Sequence, residues 1–487
     1  MEIKKNTALI IGGGIAGLSA AYYLQKYFAD GGSDWRILLL EAGDRLGGKI
    51  HTERIDGFVI EGGPDTFLAS KPWATQLCQE LGLEDRLQGT NPVQKNTYIL
   101  RAGELQPLPD GLTMMIPTNI AAMLQTKLLN WPAKIRMGMD WLIPPKPLNG
   151  DESLGAFVSR RLGRSAYENL IEPLMSGIYA GDGDALSLQA TFPYLRDLEM
   201  NYGGLVKGAL STRRKMRRKG QVPSGSRSAF LTPKSGLQEI IESLVNYLEK
   251  TGCELRTSQT VHRLSRSGNK YYVHPVYGPA IEADALILAT PAFSSARLLG
   301  DLAPDLAMDL NDIPYVNAAT VSLAYEQSEL SRPLDGYGYV IPRKEGQRAL
   351  ACTWTSTKFP HRAPEGKALL RVFFGRAGEG FEVPTDKAEL VKLARQELAH
   401  TLNIHAEPIL SQAFYWEKAM PQYNLGHPER LARIDGQLKS LPCLALAGNA
   451  YRGIGIPDCI HSGELAANKI FEQVRHENQH TKISAIL

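Results

Sequence analysis

One stretch, from Thr7 to Glu41, constrains the fold of this chain more than any other: TALIIGGGIAGLSAAYYL, then, after a short connection, WRILLLE. Ala8 to Ile11 form an unbroken apolar run of the kind buried in a parallel sheet, and Leu18 to Leu24 suit a helix. Gly12, Gly13, Gly14, Ile15, Ala16 and Gly17 make the turn between them. In such a turn the first glycine permits a tight bend, the second lets backbone approach a pyrophosphate, and the third lets helix pack on strand. The free N–H groups of the helix N-terminus then face the phosphates. A second apolar run, Ile37 to Leu40, ends in Glu41, which lies 41 − 17 = 24 positions past the last glycine. An acid at that place accepts from a ribose hydroxyl. A lone GxGxxG is weak, but two strands, a helix and a terminal acid together predict an α/β dinucleotide-binding domain.

The segment beginning at Glu41 favours flavin over nicotinamide. Glu41-Ala42-Gly43-Asp44-Arg45-Leu46-Gly47-Gly48-Lys49 resembles the segment that wraps the FAD pyrophosphate in glutathione-reductase-like flavoproteins of the amine oxidase superfamily. Its glycines suit close backbone approach, and Arg45 and Lys49 offer positive charge. The resemblance implies a Rossmann-like FAD-binding domain of glutathione-reductase type, with a mixed-sheet substrate domain and a helical lobe.

At 487 residues the chain exceeds one typical core, so two or three lobes are expected. Fifty-four Lys and Arg against 51 Asp and Glu leave a net charge of +3, too balanced to indicate nucleic acid. No apolar run reaches the roughly 18 residues of a membrane span, and no signal-peptide pattern is seen. The expectation is a cytoplasmic protein, at most peripheral to the membrane. Cys78, Cys253, Cys352, Cys443 and Cys459 are scattered without a CxxC pair, which predicts reduced thiols and no metal site.

Further along, Gly57 to Glu61 reads as a short strand entering Gly62-Gly63-Pro64-Asp65-Thr66-Phe67, where missing side chains allow contact with a flat ring. Ser70-Lys71-Pro72 opens a helix that runs through Leu81. From Asn91 to about Pro147 the chain is dense in Met, Leu, Trp and Pro. Such a segment suits a lid over an apolar substrate, a lobe touching lipid, or a helical core subdomain. Gly177 and Gly181 bracket Tyr179, again bringing backbone close to something large and flat. The run Arg213 to Lys219 predicts a solvated, mobile loop, or more sharply a landing site for acidic lipid, a partner or an anionic substrate. An amphipathic helix to about Lys250 comes next, then strands and a hairpin, then Ile281 to Pro291 as a strand re-entering the nucleotide domain. Alternation from about Leu302 to Met420 suggests the mixed sheet, and Leu444 to Asn449 a buried strand before the last helix. The expected division is therefore residues 1–90, 230–301 and 425–487 for FAD, 91–229 for the helical lobe and 302–424 for substrate.

Across residues 8 to 463, GxGxxG, EAGDRLGGKI, EGGPDTF, Lys71, NLIEPLMSGIYAGD, TWTSTKFPHRAPEGK, MPQYNLGHPER and GIGIPDCIHSG together resemble the oxygen-dependent porphyrinogen oxidases of haem biosynthesis. That family removes six electrons from a porphyrinogen at FAD and passes them to O2, giving H2O2. The propionate-binding arginine of eukaryotic protoporphyrinogen oxidases falls at Thr97 here, and Lys71 looks like the bacterial coproporphyrinogen III type. The expectation is thus coproporphyrinogen III, with protoporphyrinogen IX as the alternative. For the cofactor the resemblance implies the first glycine turn, Glu41, Ala42, Arg45, Gly48, Lys49, Gly63, Pro64, Asp65, Thr66, Val261 beside the adenine, Trp416, Gly448, Gly455, Ile456 and Pro457. Asp65 and Gly177 match positions lining the macrocycle pocket, and Lys71 is expected as the rim or near-flavin cation; the plainer readings are a turn, a helix end and a surface lysine. Partners would be the porphyrinogen and O2, with handover of product to the next haem-pathway enzyme. Two contrasting readings are a flavin amine oxidase, against which Gly453 to Pro457 offers no aromatic, and a non-catalytic flavin-binding porphyrin carrier.

Overall fold

The strand Asn6–Ile11 occupies the middle of a five-stranded parallel sheet, in the order Glu254–Arg256, Trp35–Leu40, Asn6–Ile11, Ala285–Leu288, Leu444–Leu446. The structure, a computed structural model, describes residues 5–32, 34–113, 116–147, 150–218, 228–378 and 380–486. Leu9, Ile10, Leu38, Leu39, Leu286 and Leu444 are all buried, as parallel strands covered by helices must be. The first helix runs Ile15–Asp30, longer than the periodicity predicts, and packs against Ile456–Ile486. A Cβ on Gly463 would stand 2.4 Å from Ala16 O, so the two helices meet at a distance only glycine permits.

Ile281 to Pro291 is not one strand. Ile281–Ala283 joins an antiparallel meander with Lys270–Pro275 and Val261–Ser267, whereas Ala285–Leu288 enters the parallel sheet. The break falls at Asp284, whose N–H donates to Thr7 O and whose carboxylate accepts from Thr7 N.

A seven-stranded mixed sheet forms the second lobe, in the order Leu410–Pro421, Tyr315–Glu326, Lys367–Phe374, Ala349–Trp354, Gly336–Val340, Asn96–Arg101, Glu104–Pro107. Its last two strands come from the segment expected in the helical lobe. Tyr98, Ile99 and Leu100 are buried there, with Tyr98 beside Tyr339, because an aromatic and β-branched run fits a sheet better than a lid.

The helical lobe proper gathers Phe157, Tyr167, Leu170, Met175 and Tyr179 into its own core. Ser153 caps Leu154–Leu162 by accepting from Ala156 N. Arg213 to Arg218 prove to be helix rather than loop: Leu205–Arg218 is anchored by buried Leu205 and Ala209, which carry the basic end along. Lys219 and the Gly/Ser/Pro-rich stretch up to residue 227 lie outside the described residues. No helix among the described residues is long and apolar enough to cross a membrane.

Candidate flavin and substrate site

The two oxygens of Glu41 already accept from Gly13 N at 2.6 Å and Gly43 N at 2.8 Å. A carboxylate has about four lone-pair sites, so room is left for ribose hydroxyls. Ser258 N donates to Gly43 O and Gln259 N to Glu41 O, which sets the start of Val261–Ser267, with buried Val261, beside the acid. Ala42 is exposed next to it.

Gly12 has φ +111°, and Gly17 could carry no side chain because its Cβ would come within 1.9 Å of Gly12 O. Gly14 differs: a Cβ there meets nothing within 4 Å, and its backbone is extended. The glycine at 14 therefore answers to something outside the polypeptide, as an approaching pyrophosphate requires. Gly47 N donates to Gly13 O, and Gly48, at φ +58°, lies against Gly14. Arg45 shapes this loop, donating to Gly48 O at 2.6 Å and Ile50 O at 3.1 Å, so its charge is partly committed to carbonyls. Lys49 makes no hydrogen bond or ion pair among the described residues, and burial pushes its pKa down. Ile15 and Ala16 line the turn and are buried.

At the other end, three adjacent strands hold the Gly62-Gly63 turn. Thr320 Oγ1 and Trp416 Nε1 donate to Gly62 O at 2.9 and 2.8 Å, and Arg371 Nη2 donates to Gly63 O. A Cβ on Gly63 would come within 1.9 Å of Lys49 O, so the two expected flavin-wrapping segments touch here. Pro64 leads to Asp65, whose carboxylate accepts from Lys358 Nζ at 2.9 Å and from Thr66 Oγ1 at 3.1 Å. Burial alone would raise the Asp65 pKa, but Lys358, Arg371 and Arg362 outweigh it and hold the group well below the usual range. Arg362 binds Glu61 at 3.0 Å, and burial raises the Glu61 pKa despite that partner.

The C-terminal motif forms the remaining wall. Gly448, at φ +127° with open space beyond it, donates to Ser462 Oγ. Tyr423 Oη donates to Asn449 O at 2.6 Å and accepts from Gly453 N at 2.9 Å, bridging the turn. Helix Ile456–Ile486 then begins at Gly455, Ile456 and Pro457, and Asp458 in its first turn accepts from Gly455 N at 3.2 Å. Lys71, the expected rim cation, is bound to both oxygens of Asp458. Gly177 lies inside Glu172–Tyr179, which ends at Ala180; it is exposed, and a Cβ there would meet only Val340 Cγ1 at 4.0 Å.

Sequence reasoning missed Tyr423, Thr320, Arg362 and Arg371. A tyrosine reaching across a turn leaves no local pattern, and isolated charges in a short turn (Arg362) or a strand (Arg371) read as solvated. The segments TWTSTKFPHRAPEGK and MPQYNLGHPER did point to their neighbourhood.

The family model described as flavin-containing amine oxidoreductase matches residues 15–471. The chain belongs to the flavin-containing amine oxidoreductases. Among relatives, the coproporphyrinogen III oxidase of Bacillus subtilis (strain 168) is 37% identical over 96% of this chain and 98% of its own length. Protoporphyrinogen oxidase 1, chloroplastic, of Arabidopsis thaliana is 30% identical over 95% and 87%. A crystal structure named as a candidate protoporphyrinogen oxidase from Exiguobacterium sp. 255-15 superposes with a TM-score of 0.84 at 35% identity, over 96% of this chain and 99% of that one. As a flavin-containing amine oxidoreductase the protein uses FAD. The residues fit that group on their own geometry: openings beyond Gly14 and Gly448, and a Glu41 carboxylate at the strand end with lone pairs left for hydroxyls.

Proposed function

We propose that this flavoenzyme is an oxygen-dependent coproporphyrinogen III oxidase. Six hydrogens leave the porphyrinogen, and three O2 become three H2O2 as coproporphyrin III forms. One observation carries the reading: the chain is 37% identical to the Bacillus subtilis coproporphyrinogen III oxidase over nearly the whole of both proteins, against 30% for the chloroplastic protoporphyrinogen oxidase. When bound, FAD supplies the redox chemistry, so the polypeptide has to place a broad apolar macrocycle and exclude water. On this reading Gly177 leaves room for the ring, Lys71 orients the flavin-facing turn through Asp458 and offers charge at the rim, and Asp65 organises the cations beneath. Turnover of coproporphyrinogen III and protoporphyrinogen IX side by side tests it; equal or greater kcat/KM for protoporphyrinogen IX assigns the other substrate.

The helical lobe is proposed to rest on a membrane interface. Ile120, Leu124, Trp131, Ile135, Met139, Trp141 and Leu142 are all exposed within one short stretch, and Lys134 lies over the Trp131 ring. Aromatic and aliphatic side chains with neighbouring cations suit the headgroup boundary. Co-sedimentation with anionic vesicles should be lost in Trp131→Ser/Trp141→Ser; retention in that variant contradicts the reading.

A further inference from the structure

Beneath the Gly62-Gly63 turn lies a buried group of charges that the reaction does not use directly. Glu61 and Asp65 face Lys358, Arg362 and Arg371, two carboxylates against three cations. Lys358 is paired with Asp65 and Arg362 with Glu61. Arg371 makes no ion pair among the described residues. It is 2% exposed, its Nη2 donates to Gly63 O, it lies over the Phe373 ring at 4.8 Å, and its Nε and Nη1 find no acceptor.

Burying an unpaired guanidinium with two idle N–H groups is unfavourable unless its charge is used. The polypeptide supplies no such partner among the described residues. Gly63 touches Lys49 O on its other side, so Arg371 fastens the very turn expected to meet the flavin ring.

We propose that Arg371 places one uncompensated positive charge under the flavin seat and thereby raises the reduction potential of the bound cofactor. Reduction adds electron density to the ring, and a fixed nearby cation in a water-poor site favours that state. A residue that merely fastened Gly63 would affect FAD retention without ordering the potential by charge.

The inference rests on FAD lying over the Gly62-Gly63 turn, and its test needs no porphyrinogen. Midpoint potentials are measured on FAD-loaded wild type, Arg371→Gln, Arg371→Lys and Asp65→Asn. Arg371→Gln should lose at least tenfold in preference for reduced over oxidised FAD, about 30 mV to the negative for a two-electron couple. Arg371→Lys should stay near wild type. Asp65→Asn, which removes a negative charge from the same group, should move the potential positive. An unchanged potential in Arg371→Gln, or a negative or absent shift in Asp65→Asn, overturns the inference. If Arg371→Gln does not retain FAD, the opposite-signed Asp65→Asn shift decides alone. Ordered potentials in a protein that oxidises neither porphyrinogen would instead overturn only the substrate reading.

Discussion

Lys71 Nζ stands 2.6 and 2.7 Å from the two carboxylate oxygens of Asp458, joining positions 387 residues apart. Asp458 also accepts from Gly455 N, so a lysine at the start of the Pro72–Glu80 helix fixes the turn that opens the C-terminal helix. The Lys71 side chain is 39% exposed and that of Asp458 10%, so the pair contributes about 1 kcal/mol or less to stability. Lys71→Ala should therefore lower turnover more than it lowers FAD retention or Tm. Steady-state kinetics beside a flavin-release assay checks this; unchanged kinetics removes Lys71 from the site.

Gly14 and Gly17 separate cofactor space from fold space. Gly14→Ala introduces a methyl that meets no protein atom within 4 Å, so the apo-protein Tm should hold while FAD affinity falls tenfold or more. Gly17→Ala drives a methyl to 1.9 Å from Gly12 O and should lower the apo-protein Tm itself. Thermal unfolding without cofactor, paired with FAD titration, distinguishes the two.

Tyr423→Phe removes the hydroxyl that joins Asn449 O to Gly453 N. The loss should cost about 1–3 kcal/mol, since both backbone groups lose a buried partner. FAD affinity should fall with it, because those groups shape the wall between Gly448 and Gly455. Chemical denaturation of the apo-protein and FAD titration measure the two effects.

His427 makes stability depend on pH. Its ring is fully buried, stacked on Tyr423 at 4.2 Å, with Nε2 donating to Tyr451 O, and burial brings its pKa down from 6.5 to about 4. The folded pKa lies below the unfolded one, so the unfolded chain takes up the proton first as pH falls. Stability from this group is complete above pH 6.5 and declines between 6.5 and about 4, by at most about 1.4 kcal/mol per pH unit. His427→Gln should flatten the Tm profile in that window. A profile as steep as that of wild type assigns the acid sensitivity to other groups.

The nucleotide half of the protein was legible because its signals are local. The apolar run at Ala8 to Ile11, the glycine turn and Glu41 lie within one strand-turn-helix-strand, and the structure puts Glu41 against Gly13 as that spacing requires. The second lobe was less legible because its sheet is assembled from afar. Asn96–Arg101 pairs with Gly336–Val340, about 240 positions later, so a Met-, Trp- and Pro-rich neighbourhood hid two strands. The basic run at Arg213 read as loop because charge suggests solvent, yet the burial of Leu205 and Ala209, about two turns and one turn earlier, keeps it helical. Lys71 was visible as a motif residue, but its partner 387 positions away was not.

Anaerobic addition of coproporphyrinogen III to the FAD-loaded protein, and then of O2, tests the central claim most directly. The account predicts bleaching of the flavin absorbance without oxygen, then its return with H2O2 and coproporphyrin fluorescence once oxygen enters. A flavin that stays oxidised in the presence of coproporphyrinogen III would contradict it.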